Sequence, residues 1–262
     1  MKTSQFQLFG AALCSRLTGG SSVVPRRHGL AATSTDCQSS IKGRSFPLLG
    51  AVFLAWLGLA ADAALAKTLY VSNTADSGQG SLRELIEEAF SGDTIAFANE
   101  FDTYRHVIEL RNGELGIGQD LTIIGPKKGV TIYGQGYDNR VFNILAGKFG
   151  MSGVQISGGY VIGANGDPNA FYHSGAVDGG GGILVNQGTT VSLTNCTILH
   201  CVAQGGDSAG GCSDCGDPGW GGNAYGGGIW NKGSLNMENC TVYFCTAFGG
   251  NDPNGRGFTG KG

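Results

Sequence analysis

Two stretches of the chain say nearly the same thing. Gly180–Cys201 is GGGILVNQGTTVSLTNCTILHC, and Gly226–Cys245 is GGGIWNKGSLNMENCTVYFC. Each opens on Gly-Gly-Gly-Ile, passes an Asn and a Gly turn, alternates apolar and polar residues, and closes on Asn-Cys-Thr and a second Cys. Asn195 and Asn239 lie 44 positions apart, as do Cys196 and Cys240, and Cys201 and Cys245. Self-similarity at this period is the mark of a stacked array, in which one supersecondary unit covers the next.

A degenerate copy precedes them. Gly147, Phe149, Met151, Gly153 and Ile156 match Gly233, Leu235, Met237, Asn239 and Val242 in spacing and apolar character. The 44-residue offset exceeds one compact unit, and about half of it, Val202–Tyr225, is rich in Gly, Ser and Asp. The reading is one coil of about 22 residues plus a loop projecting from its side. Gly163–Asp178 reads as a matching insert one coil earlier.

Upstream, short apolar runs recur every few residues. Strands are predicted at 94–97, 107–110, 115–117, 121–124, 130–133, 141–144, 149–151 and 154–156, with a further one at 67–72. Such pieces are too short and frequent for a sandwich of ordinary strands. One helix stands out. Ser81 and Glu84 have capping-box spacing, and Leu82, Leu85, Ile86, Ala89 and Phe90 fall on one helical stripe. Gly92 stands where a C-cap belongs, so the helix is predicted over 81–91.

Composition bounds the function. The chain holds 48 Gly but 6 Pro in 262 residues, without a collagen period. The glycines read as turn formers and as points of close backbone approach. Residues 67–262 carry 11 Lys and Arg against 18 Asp and Glu, a net charge of −7. An acidic chain without a basic stripe speaks against nucleic acid as partner.

Residues 1–66 form a leader. A polar, basic segment precedes the apolar run Leu48–Ala60, and small residues follow at Ala64 and Ala66. This is the build of a secretory signal peptide ending near Ala66. The apolar run is short for a bilayer span, which takes about 20 residues. A retained anchor, an extended leader, a transit peptide and a misassigned start stay open as alternatives. The glycine-rich tail 249–262 reads as the start of a third insert, and a chain continuing beyond Gly262 is the expectation.

Asn73-Thr-Ala-Asp-Ser-Gly-Gln-Gly-Ser-Leu-Arg-Glu-Leu-Ile86, continuing through Ser91–Phe97, resembles the CSLREA segment. That segment stands at the front of many exported bacterial proteins with pectin-lyase-like folds. The two Gly-Gly-Gly-Ile copies are similar to the repeat of the polymorphic outer-membrane proteins of chlamydiae. The resemblance implies an all-β, right-handed parallel β-helix over 67–262, capped by the one N-terminal helix. It implies export to the cell surface and a structural or adhesin-like passenger without a defined catalytic centre. The partner would be a surface protein or a glycan, and the open solenoid ends offer self-association.

In-register stacking sets Cys196 over Cys240 and Cys201 over Cys245. The strand spacing of about 4.8 Å lies within the Cα range of a disulfide. Two stacked disulfides and two stacks of buried thiols both satisfy this geometry. Cys212-Ser-Asp-Cys215 reads as a loop-stapling disulfide in an exported chain.

No residue is assigned as catalytic, cofactor-binding or metal-binding, and no cofactor is expected. Calcium enters only if Asp167, Asp178, Asp207, Asp214 and Asp217 pool their oxygens between inserts; the Gly-Asp-Pro turns explain them more simply. A carbohydrate-active enzyme is the rival reading. It needs grouped acids with Arg or Lys, and Arg83, Arg105, Arg111 and Arg140 are scattered in sequence. Tyr172, His173, Trp220 and Tyr225, aromatic or ring-bearing residues of the inserts, are the candidates for loop-borne binding. His106 and His200 read as ordinary strand or surface residues.

Overall fold

The computed structural model describes residues 65–136, 138–167, 174–209 and 219–252. Most of the leader, with Cys14 and Cys37, lies outside them, as do Tyr172, His173, Cys212, Cys215, Asp214 and Asp217.

Among the described residues the chain is all-β with parallel sheets and a single α-helix. β1 (Thr68–Val71) is followed by α1 (Leu82–Glu88). The next round of chain gives β2 (Asp93–Phe97), β3 (His106–Leu110) and β4 (Leu115–Ile117). After it come β5 (Leu121–Ile124), β6 (Val130–Gly134) and β7 (Phe142–Ile144). A longer round holds β8 (Lys148–Ser152), β9 (Val154–Ser157), β10 (Tyr160–Ile162), β11 (Asp178–Gly179) and β12 (Ile183–Val185). Another holds β13 (Thr190–Thr194), β14 (Thr197–Leu199), β15 (Val202–Gln204), β16 (Ala224–Tyr225) and β17 (Ile229–Asn231). β18 (Ser234–Glu238), β19 (Thr241–Tyr243) and β20 (Thr246–Phe248) close the described chain.

Each round adds one strand to each of three main sheets. Their orders are β1-β2-β5-β8-β13-β18, β3-β6-β9-β14-β19 and β4-β7-β12-β17. The predicted repeat is their register. Phe149, Val191 and Leu235 are partners in successive strands, as are Met151, Leu193 and Met237. Ile108, Ile132, Ile156, Ile198 and Val242 form one column through the second sheet. Strict alternation makes these columns: β2 and β13 bury every second residue and turn the others out. Like residues therefore stack inward in a continuous core.

The corners carry the other half of the repeat. Asn195 and Asn239 have φ of 54° and 52°, and His200 and Phe244 have 52° and 53°. The equivalent corners one round earlier are glycines, Gly153 and Gly158, also at positive φ. Asn tolerates this left-handed conformation better than most residues, which suits Asn195 and Asn239 to these corners. Backbone joins the rounds there, Asn195 N–H donating to Glu238 O at 2.9 Å.

Two expectations are corrected. The helix ends at Glu88, with Ala89 already extended. Asp93 takes the Phe90 N–H at 2.9 Å and the Lys67 N–H at 2.8 Å, drawing the chain out of the helix and into β2. Phe90 is consequently 65% exposed, with Lys67 Nζ 5.4 Å from its ring centre. The Ser81 half of the capping box forms, Ser81 Oγ accepting from Glu84 N–H, while Glu84 Oε2 reaches one residue further back and accepts from Gly80 N–H at 2.6 Å. Ser81→Ala is expected to lower stability by about 1 kcal/mol, measured by urea unfolding; an unchanged midpoint would deny the cap its role.

The inserts are the second correction. Their ends are strands, not loops: β10-β15-β20 and β11-β16 are parallel ladders in register. Their glycines are packed flat. Gly206 N–H donates to Ala176 O at 2.9 Å, Gly222 N–H to Gly206 O at 2.8 Å, and Gly250 N–H to Gly222 O at 2.9 Å. A Cβ on Gly206 would stand 2.0 Å from Ala164 O. Here glycine serves close approach of backbones rather than turning.

Candidate functional site

Of the arginines scattered in sequence, Arg140 enters a charged network on the side of the third sheet. Glu114 precedes β4, Arg140 precedes β7, and Asp178 begins β11. Arg140, its side chain 10% exposed, meets both carboxylates: Nη1 to Glu114 Oε2 at 2.6 Å and Nη2 to Asp178 Oδ1 at 2.7 Å. Its Nε donates to Gly180 O at 3.0 Å and Nη2 to Gly179 O at 3.1 Å. Asn143 Nδ2 donates to Glu114 Oε1 at 2.6 Å, and Asn186 Nδ2 to Asn143 Oδ1 at 2.7 Å. The network thus crosses three rounds through short charge-assisted bonds.

An aromatic pair borders it. Tyr225 in β16 stacks on Trp230 in β17 with centroids 5.4 Å apart. Lys232 Nζ sits 4.3 Å from the Trp230 ring, within cation–π range. Trp230 lies where a side chain on Gly179 would stand, 2.8 Å from that Cβ position. The pair therefore abuts the strand that Arg140 holds. Of the residues proposed for loop binding, Tyr225 belongs to this face. Trp220, in the same insert, is 44% exposed, and its backbone N–H donates to Ser174 Oγ of the preceding insert at 3.1 Å. Tyr172 and His173 lie outside the described residues. Trp230, Lys232, Arg140 and Glu114 were not singled out for this site from sequence. A mid-strand Trp followed by a Gly turn was the available signal.

Both histidines stack on aromatic rings. His106 stacks on Tyr104 at 4.1 Å, and its Nε2 lies 3.2 Å from Glu100 O. His200 stacks on Phe244 at 5.3 Å, one corner residue above the other.

The cysteines stack as the repeat requires. Cys196 N–H donates to Cys240 Sγ at 3.4 Å. Cys201 and Cys245 occupy equivalent corners just before paired strands. All four are free thiols in this structure. Burial pushes the Cys196 thiol up. The Cys201 thiol is pushed up by its hydrogen bond to Cys245 and by burial. That same bond pulls Cys245 down to about 7. Iodoacetamide near neutral pH is expected to label Cys245 at least ~10-fold faster than Cys201, because the thiolate is the nucleophile and Cys245 is half-buried where Cys201 is buried. Peptide mass mapping reads the order; equal rates would remove the coupling. Cys212 and Cys215 lie outside the described residues.

The carboxylates are committed to N–H donors. Asp207 Oδ1 accepts from Asn251 N–H at 2.7 Å and from Asn251 Nδ2 at 3.2 Å, and Asp178 is held by Arg140. Among the described residues no three His, Cys, Asp or Glu side chains gather as a metal ligand set.

Asp76 ties the loop before α1 to the rounds. Arg83 Nη2 donates to it at 2.8 Å, and the N–H groups of Arg111 and Asn112 donate at 2.8 and 2.7 Å. Burial raises its pKa, but those N–H bonds and the Arg83 charge outweigh it and bring the carboxyl below 3.8. Asp93 is lowered too, first by the Lys67 and Phe90 N–H groups. A lowered folded pKa stabilises above the unfolded value of about 3.9 and loses that contribution as pH falls through the folded value. The unfolding free energy should therefore hold steady down to about pH 4 and fall below it, more steeply than in a chain carrying Asp76→Asn and Asp93→Asn. Coincident pH profiles would count against this.

Comparison with protein-family models, with curated proteins and with solved structures finds no match.

Proposed function

We propose that the chain is an exported structural or adhesin-like passenger, a right-handed parallel β-helix that presents its side inserts to a surface protein or a glycan. One observation carries the reading: the stacked insert ladder brings Tyr225 against Trp230 of β17, with Lys232 beside it, as one face next to the Arg140 network. A stacked aromatic pair with a cation over one ring is a platform for a sugar or for a partner's side chain. The leader ending near Ala66 supports export, and the likeness of residues 73–97 to the CSLREA segment supports the β-helix. The acidic charge speaks against nucleic acid.

Binding of the full chain to arrayed glycans and to host-type cell surfaces tests this. Trp230→Ala should lower the binding found there at least ~10-fold, the loss expected of an aromatic anchor. Binding that is absent, or untouched by Trp230→Ala and Tyr225→Ala, would overturn it.

A second reading has one observation in its favour. Arg140, Glu114 and Asp178 meet, and a carbohydrate-active enzyme needs such grouped acids and bases. Both carboxylates are engaged at 2.6–2.7 Å, which favours a structural role. Turnover of acidic polysaccharides that Glu114→Gln abolishes would select the enzyme.

A further inference from the structure

Each Gly-Gly-Gly-Ile copy clears space for one sulfur. A Cβ on Gly182 would stand 3.2 Å from Cys201 Sγ, and one on Gly228 would stand 3.0 Å from Cys245 Sγ. One round earlier the sizes are exchanged. Val141, fully buried, takes the place of Gly182, and Gly159 takes the place of Cys201. A Cβ on Gly159 would stand 3.1 Å from Val141 Cγ2. This inner corner thus takes one side chain per round, and in two successive rounds that side chain is a thiol. Register brings the two thiols together. Val202 pairs with Thr246 directly after them, and Thr246 N–H donates to Cys201 O at 2.9 Å. Parallel strands about 4.8 Å apart hold the Cα atoms inside the disulfide range. The two thiols also hydrogen-bond each other. The Cys196 column is arranged differently. Cys196 Sγ lies 3.5 Å from Met151 O of the round before, and Cys240 Sγ takes the Cys196 N–H.

We propose that Cys201 and Cys245 are a disulfide site, closed by exchange with a small-molecule disulfide such as oxidised glutathione. The Cys245 thiolate attacks one sulfur of the oxidant and expels one glutathione thiolate. Cys201 Sγ then gives its proton to solvent, attacks Cys245 Sγ and expels the second glutathione thiolate. Two protein thiols are oxidised and the S–S bond of the oxidant is reduced. The two expelled thiolates take up the two protons that the protein gives up. The bridge ties the root of β15 to the root of β20 and so pins two successive inserts in register. It is independent of the aromatic face and of any contact between copies.

The test takes the full 262-residue chain, purified reduced and incubated without denaturant in oxidised glutathione. Iodoacetamide quenches the reaction, and unreduced peptides are mapped by mass. A peptide pair linked through Cys201 and Cys245 is expected, and labelling of both falls at least ~10-fold against the reduced chain. The urea midpoint should rise on oxidation and return on adding dithiothreitol. Cys201→Ala should leave glutathione on Cys245 and remove the rise, whereas Cys196→Ala should keep the bridge. Circular dichroism checks that each variant keeps its strands, and the map of the parent stands without them. A glutathione adduct that persists on Cys245 of the parent would overturn the proposal. So would two free thiols, or a bridge from either residue to Cys196, Cys240, Cys212 or Cys215 in its place.

Discussion

Gly222→Ala is expected to break the packing between inserts and to lower stability by roughly 3 kcal/mol or more, the range of severe overpacking. Gly222 donates its N–H to Gly206 O and accepts at its own carbonyl from Gly250 N–H. A Cβ there would stand 1.9 Å from Ala176 O and 2.6 Å from the carbonyl carbon. Those atoms are backbone, and Ala176 O is itself bonded to Gly206 N–H. No side chain can swing away to relieve the clash. The segments must separate, and each separation strands carbonyls and N–H groups that water or protein must satisfy again. Gly118→Ala is the control, since no atom lies within 4 Å of its Cβ position. Urea unfolding with amide hydrogen exchange distinguishes the two. Loss of protection around Gly206 and Gly250 in the first variant alone is the expected result. Equal stability of both would mean that the glycines are incidental.

Phe142→Ala should cost about 3–5 kcal/mol, toward the upper end of buried aromatic truncations. Phe142 is fully buried in β7, and its ring lies 5.8 Å from that of Phe149 in the next round. Leu115 and Ile183 flank it as ladder partners. The cost of a cavity depends on how far its walls can collapse. Here the walls are strands pinned by parallel hydrogen bonds at about 4.8 Å, so relaxation is small. Phe142→Leu, which keeps most of the volume, should cost far less. Equilibrium unfolding in urea measures both. A loss below about 1.5 kcal/mol for the alanine variant would show that neighbouring rounds can close the gap.

Much of this was legible in the sequence because stacking repeats itself. Phe149, Val191 and Leu235 occupy one column because each round must offer an apolar residue where its neighbour does. Residues at nearly constant spacing therefore announce the register, and Cys196 over Cys240 follows from it. Asn195 and Asn239 recur at equivalent corners for the same reason. The helix start was legible through Ser81 and Glu84. Its end was not, because the signal that stops it is a side chain 5 residues beyond Glu88, Asp93, bonding back to Phe90.

The inserts were legible only as composition. Gly205, Gly206, Gly222 and Gly250 carry no periodic mark that separates a turn glycine from one pressed against a neighbouring backbone. Nor does any spacing link Arg140 to Glu114, 26 residues before it, and to Asp178, 38 after. Asp178 lies beyond an insert whose length is unconstrained by the repeat, so only the folded ladders bring it to Arg140. The sequence alone thus determined the stacked rounds, their inward columns and the side from which the inserts leave, since a repeating core needs repeating residues. Tertiary structure decided what the inserts build, because contacts between non-repeating segments depend on where the rounds hold their ends.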